Sequence, residues 1–326
     1  MAEQTVANQR PRPERPHFSI VVPLFNEEEC VGELITRLTE VMSEHDYEII
    51  LVNDGSTDGT LGAIQEHALQ DSRIKFLSFS RNFGHQMALS AGIDHARGDA
   101  VITLDGDLQH PPELIPTLIE RWRAGTDVVS TVRVSNRGHR LKELISSVFY
   151  WTLRKLSGVD ISAGSADFRL LDRAAADAIR SCNEHFIFIR GLVPWLGFSR
   201  DSIPYEAAAR YGGSSKYLTA RMAGFALDGI FSFSVVPLRV ISLLGLLTII
   251  LGAVYGTYSL LVRIFTNQAV SGWTSLVIVI LVFSGTQLLS LGILSEYVGR
   301  IYEEVKHRPR YIVSQRSSGL EAQTER

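Results

Sequence analysis

The sequence predicts an α/β protein in which a parallel, doubly wound sheet is followed by two helices long enough to cross a membrane. Up to about residue 215, short apolar or β-branched runs alternate with helix-like segments, which is typical of a parallel sheet with crossover helices. Two later stretches carry no charged side chain, from Ile241 to Val262 and from Ser275 to Ser295. At about 1.5 Å per residue, each stretch reaches roughly 30 Å as a helix, the thickness of a bilayer core.

Five strands are predicted in the first part of the chain, and each ends in polar or turn residues. They are the runs "HFSIVVPLF", "YEIILVND", "IKFLSFS", "DAVITLD" and "TDVVSTV". Helices are predicted between them at Glu27–Glu44, Asp58–Leu69, Gly84–Ala96 and Pro111–Ala124. Because such sheets bind ligands outside the carboxyl ends of their strands, the polar residues at those ends are the candidates for a site.

Candidate residues follow three of these strands. They are Pro23, Asn26 and Glu27 after the first strand, Asn53 and Asp54 after the second, and Asp105 and Asp107 after the fourth. Asn82, Gly84 and Gln86, after the third strand, are candidates for shaping the pocket. Neither a Gly-x-Gly-x-x-Gly motif after the first strand nor a P-loop motif occurs, so a bound nucleotide would be held through carboxylates.

Asp105 and Asp107 present two hard oxygen ligands on one turn, with Gly106 between them. Mg²⁺ and Mn²⁺ favour such ligands together with water and substrate phosphates, although a solvated turn gives the same pattern. Asp54 lies in a turn where Asp58 is a predicted helix N-cap, which leaves Asp54 free to accept a hydrogen bond from a ligand. The histidines, His85 and His110 included, are not spaced as a metal cluster and receive no ligand role.

Composition narrows the choice of function. The chain has 326 residues, is 45% hydrophobic and carries a formal net charge of −3, which does not favour nucleic-acid binding. Its two cysteines, Cys30 and Cys182, are too few for a disulfide framework or a zinc site, so reduced cytosolic thiols are expected. Residues 1–16 are rich in Pro, Arg and Gln, and a disordered tail is predicted there.

Basic residues flank the two apolar stretches and are scarce between them, where Arg263 stands alone. The positive-inside rule therefore places both flanks, including the basic tail at 299–326, in the cytosol, with membrane spans at about 241–262 and 275–295. Residues 216–240 are apolar but interrupted by charges, which favours amphipathic helices in the membrane interface. An ordinary amphipathic helix packed on the preceding domain is the alternative.

Several motifs together resemble the polyprenyl-phosphate glycosyltransferases of glycosyltransferase family 2. They are "VVPLFNEEE", "LVNDGSTDGT", "RNFGHQMALSAGIDHARGD", "TLDGDLQHPPE", "DFRLLDR" and "GGSSKY", in order and spacing from about Phe18 to Tyr311. The resemblance implies a cytosolic nucleotide-sugar domain of the GT-A type (Rossmann-like) over residues 17–215. It also implies that one sugar passes, with inversion, to the phosphate of a membrane polyprenol, which in bacteria is undecaprenyl phosphate.

The resemblance also implies roles for individual residues. Pro23, Asn26, Glu27 and Asp54 match the nucleotide pocket, which Asp105 and Asp107 share. Asp105 and Asp107 match the Asp-x-Asp pair, with Gln109 beside an Mg²⁺ or Mn²⁺ ion. Arg133 matches a basic residue that faces the acceptor phosphate; Arg140 and Lys142 compete for a second such role. Lys216 could close over the donor, touch lipid phosphate or only extend to the interface.

The resemblance gives Asp107, Asp167 and Arg133 the catalytic roles, with Asp167 as a base or an orienting carboxylate. Orientation is the safer role, because a phosphate monoester with a second pKa of about 6 is largely dianionic without help from a base. A structural charge network of Asp167, Arg169 and Asp172 is the alternative.

Two other functions stay open. A processive polysaccharide synthase would carry Gln-x-x-Arg-Trp, whereas Arg121-Trp122 here follows "LIE". The other alternative function is a nucleotide-sugar sensor or a scaffold that does not turn over a substrate.

By analogy with bacterial members, UDP is preferred to GDP and glucose is the first choice of sugar. A homo-oligomer, with a tetramer suspected, a downstream flippase and a second glycosyltransferase are expected partners, at the bacterial inner membrane.

Overall fold

The computed structural model describes residues 12–14, 17–133, 165–182, 184–185, 187–206, 235–266 and 272–320. An eight-stranded sheet lies at the centre of the first of two compact units, in the order β7-β5-β6-β4-β1-β2-β3-β8. Its strands are β1 His17–Leu24, β2 Asp46–Asn53, β3 Ile74–Phe79, β4 Ala100–Thr103, β5 Val128–Arg133, β6 Ser165–Asp172, β7 Arg200–Tyr205 and β8 Val313–Arg316.

The five predicted strands are present, and β3, β2, β1 and β4 pair in parallel. The sheet as a whole is mixed, because β6 runs antiparallel to β4 and β5, and β8 runs antiparallel to β3. Since β6 reverses direction, its first residues lie at the same edge of the sheet as the last residues of β4 and β5. That edge, called the carboxyl edge below, also receives the end of β7, which is parallel to β5.

The predicted helices cover both faces of the sheet. They are α1 Glu28–Val41, α2 Thr60–Gln70, α3 His85–His95 and α4 Ile115–Arg123, the last preceded by a 3₁₀ turn at Pro112–Leu114, and two short helices follow, α5 Arg173–Ser181 and α6 Ile189–Trp195. In α1 the buried residues recur at helical spacing, at Val31, Leu34, Ile35 and Leu38. They belong to the same hydrophobic core as the buried side chains of β1.

After residue 308 the chain returns to the sheet, although the sequence indicated only a basic tail there. Tyr311 stacks on Phe79 with ring centroids 5.0 Å apart, and its hydroxyl donates to Asp94 at 3.1 Å. Arg310 donates to the same carboxylate at 3.3 Å. Strand β8 then pairs with β3, so residues on both sides of the apolar helices complete a single sheet.

Arg12, within the predicted disordered tail, packs on the domain. Its guanidinium lies 4.6 Å from the Trp122 ring centroid, donates to the carbonyl of Thr126 at 3.0 Å and pairs with Asp172. The Asp172 carboxylate also accepts from the Trp122 indole at 2.9 Å. This segment therefore joins α4 to the far end of β6.

The second compact unit contains two long helices, α7 Val236–Thr266 and α8 Trp273–Val305. Within them, Val236–Val262 and Ile278–Val305 are long and apolar enough to cross a membrane, with mean hydropathies of 2.1 and 2.0. Their large apolar side chains are exposed, for example Leu243 and Ile249 at 66% each. These helices are candidate membrane spans that follow strands β1–β7 in the sequence, as predicted.

Candidate active site

The loops after β1 and β2 are joined by hydrogen bonds at the carboxyl edge. The Asn26 side-chain oxygen accepts from the backbone of Thr57 at 2.9 Å, and the Asn26 backbone donates to the Ser56 hydroxyl at 3.0 Å. Glu27 donates through its backbone to the Thr60 hydroxyl at 2.9 Å. Pro23 is buried at the end of β1. The residues predicted for the nucleotide pocket after these two strands therefore lie at one edge of the sheet.

Asp54 joins the β2 loop to the β3 loop. Its carboxylate accepts from the backbone of Phe83 at 2.7 Å and of Gly84 at 3.0 Å, and the residue is 3% exposed. Burial raises the pKa of Asp54, and the two backbone donors oppose that shift. The predicted ligand contact of Asp54 stays a prediction, because the two backbone donors leave further acceptor sites on its carboxylate oxygens. The predicted N-cap differs by a residue, since α2 starts at Thr60 and the Asp58 side chain accepts from Thr60 N.

His85, Asp105 and Asp167 converge at the carboxyl edge, and one potential ligand atom from each lies within 4.8 Å of the others. His85 Nε2 lies 3.3 Å from Asp105 Oδ1 and 3.2 Å from Asp167 Oδ2. His85 receives no ligand role from the sequence, because its distance in sequence from the two carboxylates hides a contact that forms only when the sheet assembles. The three residues come from the start of α3, the end of β4 and the start of the reversed strand β6.

The surroundings of the Asp105 carboxylate disfavour its ionised form. Its Oδ1 is buried and accepts no hydrogen bond from the part of the chain that the structure describes, although His85 Nε2 lies 3.3 Å away as an ion-pair partner. Burial raises the pKa of Asp105; His85 and His110 oppose the shift, while the negative charges of Asp167 and Asp107 add to it. A bound divalent cation would stabilise the ionised form of Asp105 and so reverse the cost of burying its charge. Two hard carboxylates in one turn suit Mg²⁺ or Mn²⁺. The residues present therefore fit the predicted metal.

Asp107 and Gln109, the other predicted metal residues, lie on the same turn as Asp105. Asp107 Oδ1 accepts from the backbone N–H of Gln109 at 3.1 Å, and both residues are half-buried. Asp107 is not a member of the convergent group of His85, Asp105 and Asp167.

Asp167 is buried, 1% exposed, and surrounded by donors. Arg169 Nη2 donates to Oδ1 at 2.7 Å, and Arg190 donates through Nε at 3.0 Å to Oδ1 and through Nη2 at 2.8 Å to Oδ2. Gln86 Nε2 lies 3.3 Å from Oδ2. Although burial opposes ionisation, Arg190, His85 and Arg169 hold the pKa of Asp167 well below its usual range. Such a carboxylate is a weak base and a strong anchor for the groups around it.

The structure separates the members of the alternative charge network. Asp167 and Arg169 do pair, but Asp172 lies at the opposite end of β6, beside Ala100 of β4. There its side chain accepts from Ala174 N at 3.0 Å and caps α5. A network of Asp167 and Arg169 is therefore present, without Asp172.

Arg190 is the site residue that sequence reasoning missed entirely. It lies in the first turn of α6, and no motif marks that helix in the sequence. Gln86 was noted only by its position after β3; in the structure its side-chain oxygen accepts from Ile189 N at 3.1 Å and joins α3 to α6. No sequence pattern predicts these two residues as part of the site, because they contact Asp167 only when α3, β6 and α6 pack together.

The predicted lipid-phosphate residues are described only in part. Arg133 ends β5 at the carboxyl edge, is exposed, and lies opposite Tyr205 of β7. Burial raises the pKa of Tyr205 to about 12. Arg140, Lys142 and Lys216 lie outside the described residues, as does most of the predicted interfacial segment.

Comparison with known proteins finds a family profile and relatives that match most of the chain. The sequence profile of Glycosyl transferase family 2 matches residues 19–180. The Uncharacterized glycosyltransferase YkcC of Bacillus subtilis is 43% identical over 307 residues, covering 93% of this chain and 95% of the relative. The SfII prophage-derived bactoprenol glucosyl transferase of Shigella flexneri is 41% identical over 306 residues, covering 93% and 99%.

Among solved structures, a glucosyl-3-phosphoglycerate synthase from Mycobacterium tuberculosis, with Mn²⁺, UDP and glucosyl-3-phosphoglycerate, overlaps with a TM-score of 0.46 at 19% identity, covering 66% of this chain and 78% of that one. The two sequence relatives match nearly the whole chain, which confirms the resemblance to polyprenyl-phosphate members. The chain is a glycosyltransferase and belongs to glycosyltransferase family 2.

Proposed function

We propose that this enzyme transfers one sugar, with inversion, from a nucleotide-sugar to a polyprenyl phosphate, and that the transfer depends on a divalent metal. UDP-glucose or a related UDP-sugar is the proposed donor, and undecaprenyl phosphate the proposed acceptor. The observation that carries the proposal is the convergence of Asp105, Asp167 and His85 at the carboxyl edge. Relatives named bactoprenol glucosyl transferase, aligned over almost their entire length, support the choice of acceptor and sugar.

On the donor side, Asp105, Asp107 and Gln109 would hold Mg²⁺ or Mn²⁺, and Pro23, Asn26, Glu27 and Asp54 would shape the nucleotide pocket. A bound cation would neutralise charge on the diphosphate as it leaves. The chain's own contribution is to orient these groups: the bonds from Asn26 to the β2 loop and from Asp54 to the β3 loop fix three strand ends relative to one another. A pocket held in this way loses little entropy when the donor binds.

On the acceptor side, Arg133 would receive the phosphate, and Arg140, Lys142 and Lys216 are proposed as further phosphate contacts. A phosphate monoester has a second pKa of about 6, so its oxygen is a competent nucleophile near neutral pH. Asp167, whose pKa is depressed by its guanidinium and imidazole partners, is therefore proposed as an orienting carboxylate, not a proton acceptor. It would hold Arg190 and His85 beside the reacting centre.

We propose that the two long helices, α7 and α8, form a hairpin that crosses the bacterial inner membrane twice, and that the catalytic domain lies in the cytosol. Strands before and after the hairpin belong to one sheet, and that arrangement requires an even number of crossings. The basic flanks identify the shared side as cytosolic. The lipid-linked sugar would then supply glycan or lipopolysaccharide modification, through a flippase and a second glycosyltransferase. Self-association as a tetramer is part of the same proposal.

The decisive test is sugar transfer by the purified full-length protein in detergent. Undecaprenyl phosphate, Mn²⁺ or Mg²⁺ and a panel of nucleotide-sugars are supplied, and the lipid product is identified by mass spectrometry. We expect a metal-dependent lipid-phosphate-sugar that Asp107→Ala does not form. Asp46→Ala is the matched control, because that carboxylate is 77% exposed at the opposite end of β2 and should leave activity unchanged. Failure of every donor, with nucleotide binding intact, would contradict the proposal.

A further inference from the structure

Close packing and an uncommon dihedral angle constrain the backbone of the turn that carries Asp105. Gly106 is pressed against the end of β1: a Cβ there would lie 2.2 Å from Leu24 Cδ2 and 3.2 Å from the carbonyl oxygen of Pro23. Leu108 has a φ of 58°, in the left-handed region that non-glycine residues seldom adopt, and its side chain is buried. A backbone of this shape persists only where its surroundings enforce it.

The side chain of His110 closes the turn. Its Nδ1 accepts a hydrogen bond from the backbone N–H of Asp105 at 3.3 Å and lies 3.7 Å from Asp105 Oδ2. Because Nδ1 is the acceptor, a neutral ring carries its proton on Nε2. His110 is the last residue of the turn, and its imidazole therefore bonds to the backbone of Asp105, the first residue of the same turn.

Two aromatic rings fix the position of the imidazole. The His110 ring stacks on Phe168 with centroids 5.6 Å apart and planes 19° apart, and it meets Tyr205 edge-on at 5.7 Å. The side chain is only 8% exposed. Phe168 comes from β6 next to Asp167, and Tyr205 ends β7 opposite Arg133. The ring is thus fixed by the strands that carry the acceptor side of the site.

We propose that His110 is a positioning residue for the divalent cation: it holds the Asp105 backbone so that the Asp105 carboxylate faces the bound ion. This inference rests on the proposed function, because the ion belongs to it. His110 itself touches neither the ion nor the substrate. Partners that orient metal ligands in this way typically contribute about 10- to 100-fold to metal affinity.

Two substitutions separate the hydrogen bond from the packing. His110→Phe keeps a ring between Phe168 and Tyr205 but removes the acceptor atom. His110→Asn removes the ring but places an amide oxygen near the position of Nδ1. His45→Phe is the matched control, since His45 also packs edge-on against an aromatic ring, Phe18 at 5.4 Å, but lies just before the amino end of β2.

The measurement is Mn²⁺ binding to the full-length protein in detergent, with and without UDP, followed by the electron paramagnetic resonance signal of free Mn²⁺. Thermal unfolding of each metal-free protein is recorded beside it. We expect His110→Phe to bind Mn²⁺ about 10- to 100-fold more weakly at a melting temperature near that of the wild type. His110→Asn should retain most of the affinity in spite of a lower melting temperature, and His45→Phe should bind as the wild type does.

Other outcomes overturn the proposal in distinguishable ways. Wild-type affinity in His110→Phe, or losses of affinity that simply follow the losses of thermal stability, would reduce His110 to a packing residue and leave the proposed function standing. Equal, weak Mn²⁺ binding by the wild type and Asp105→Asn would remove the cation site itself, and both proposals would fall together.

Discussion

Replacing Arg190 by Gln tests the interpretation of Asp167 as a saturated anchor. The change removes three hydrogen bonds to a carboxylate that is 1% exposed, while Arg169 stays on Oδ1. Breaking a fully buried ion pair costs about 3–5 kcal/mol. Because the Arg190 side chain is 38% exposed and partly screened, we expect about 2 kcal/mol. For a domain of this size, that corresponds to a fall in melting temperature of about 4–8 °C.

The assay is thermal unfolding of the full-length protein in detergent with a chelator present, followed by near-ultraviolet circular dichroism. Arg121→Gln is the control, because its ion pair with Asp201 is long, at 3.5 Å, and exposed, and should contribute little.

The stabilisation that Arg190 provides through Asp167 should depend on pH, and the direction of that dependence follows from the pKa shift. Since the pKa of Asp167 is depressed in the folded state, its contribution is present above the unfolded value of about 3.9 and is lost as the pH falls through the folded value. Wild type and variant should therefore converge in acid.

A double variant decides whether the ion pair is the source of the effect. In an Asp167→Asn background the carboxylate charge is gone, so Arg190→Gln should cost much less than it does in the wild type. Equal costs in the two backgrounds would show that the residues do not interact energetically, and the interpretation of Asp167 as an anchor would be refuted.

Three further substitutions test other parts of the structure. Asp105→Asn should leave the metal-free protein as stable as the wild type, because an ionised carboxylate is costly at that buried site, yet abolish stabilisation by Mn²⁺ in thermal unfolding; retained stabilisation would place the ion elsewhere. Tyr311→Phe removes the donor to Asp94 and should lower the free energy of unfolding by about 1–2 kcal/mol; no change would mean that the returning segment contributes little. Gly106→Ala should lower both transfer activity and melting temperature, whereas Gly62→Ala, with open space in α2, should be neutral or stabilising; equal effects would contradict the close approach described for Gly106.

How far the sequence predicted the site depended on where each residue lies along its strand. The rule that ligands bind beyond the carboxyl ends of parallel strands placed Asn26, Asp54 and Asp105 at one edge, and the structure has them there. Asp167 begins an antiparallel strand, so position in the chain could not show that it shares this edge. Its role came from resemblance alone.

The returning strand β8 illustrates a second limit. Its sequence is short and polar, and it follows a long apolar helix, so no local pattern predicts that it pairs with β3. The contact of Tyr311 with Phe79 and Asp94 is set by tertiary packing. Local patterns predict strands that lie in a core and fail for edge strands whose partners lie far away in sequence.

The two carboxylates at the centre of the site divide their roles through their surroundings. Asp105 and Asp167 offer oxygens within 4.8 Å of each other, yet the pKa of the first is raised and that of the second is strongly lowered. When the surroundings of two neighbouring groups push their pKa values apart in this way, the two groups have different chemical roles. Asp167 is already neutralised by Arg169 and Arg190, so a cation gains little by binding it. Asp105 Oδ1 has the imidazole of His85 at 3.3 Å but accepts no hydrogen bond from the described residues, so a bound cation would offset the cost of burying this carboxylate. If the proposed metal binds, this arrangement favours the turn after β4 as its site and leaves Asp167 to orient Arg169, Arg190 and His85.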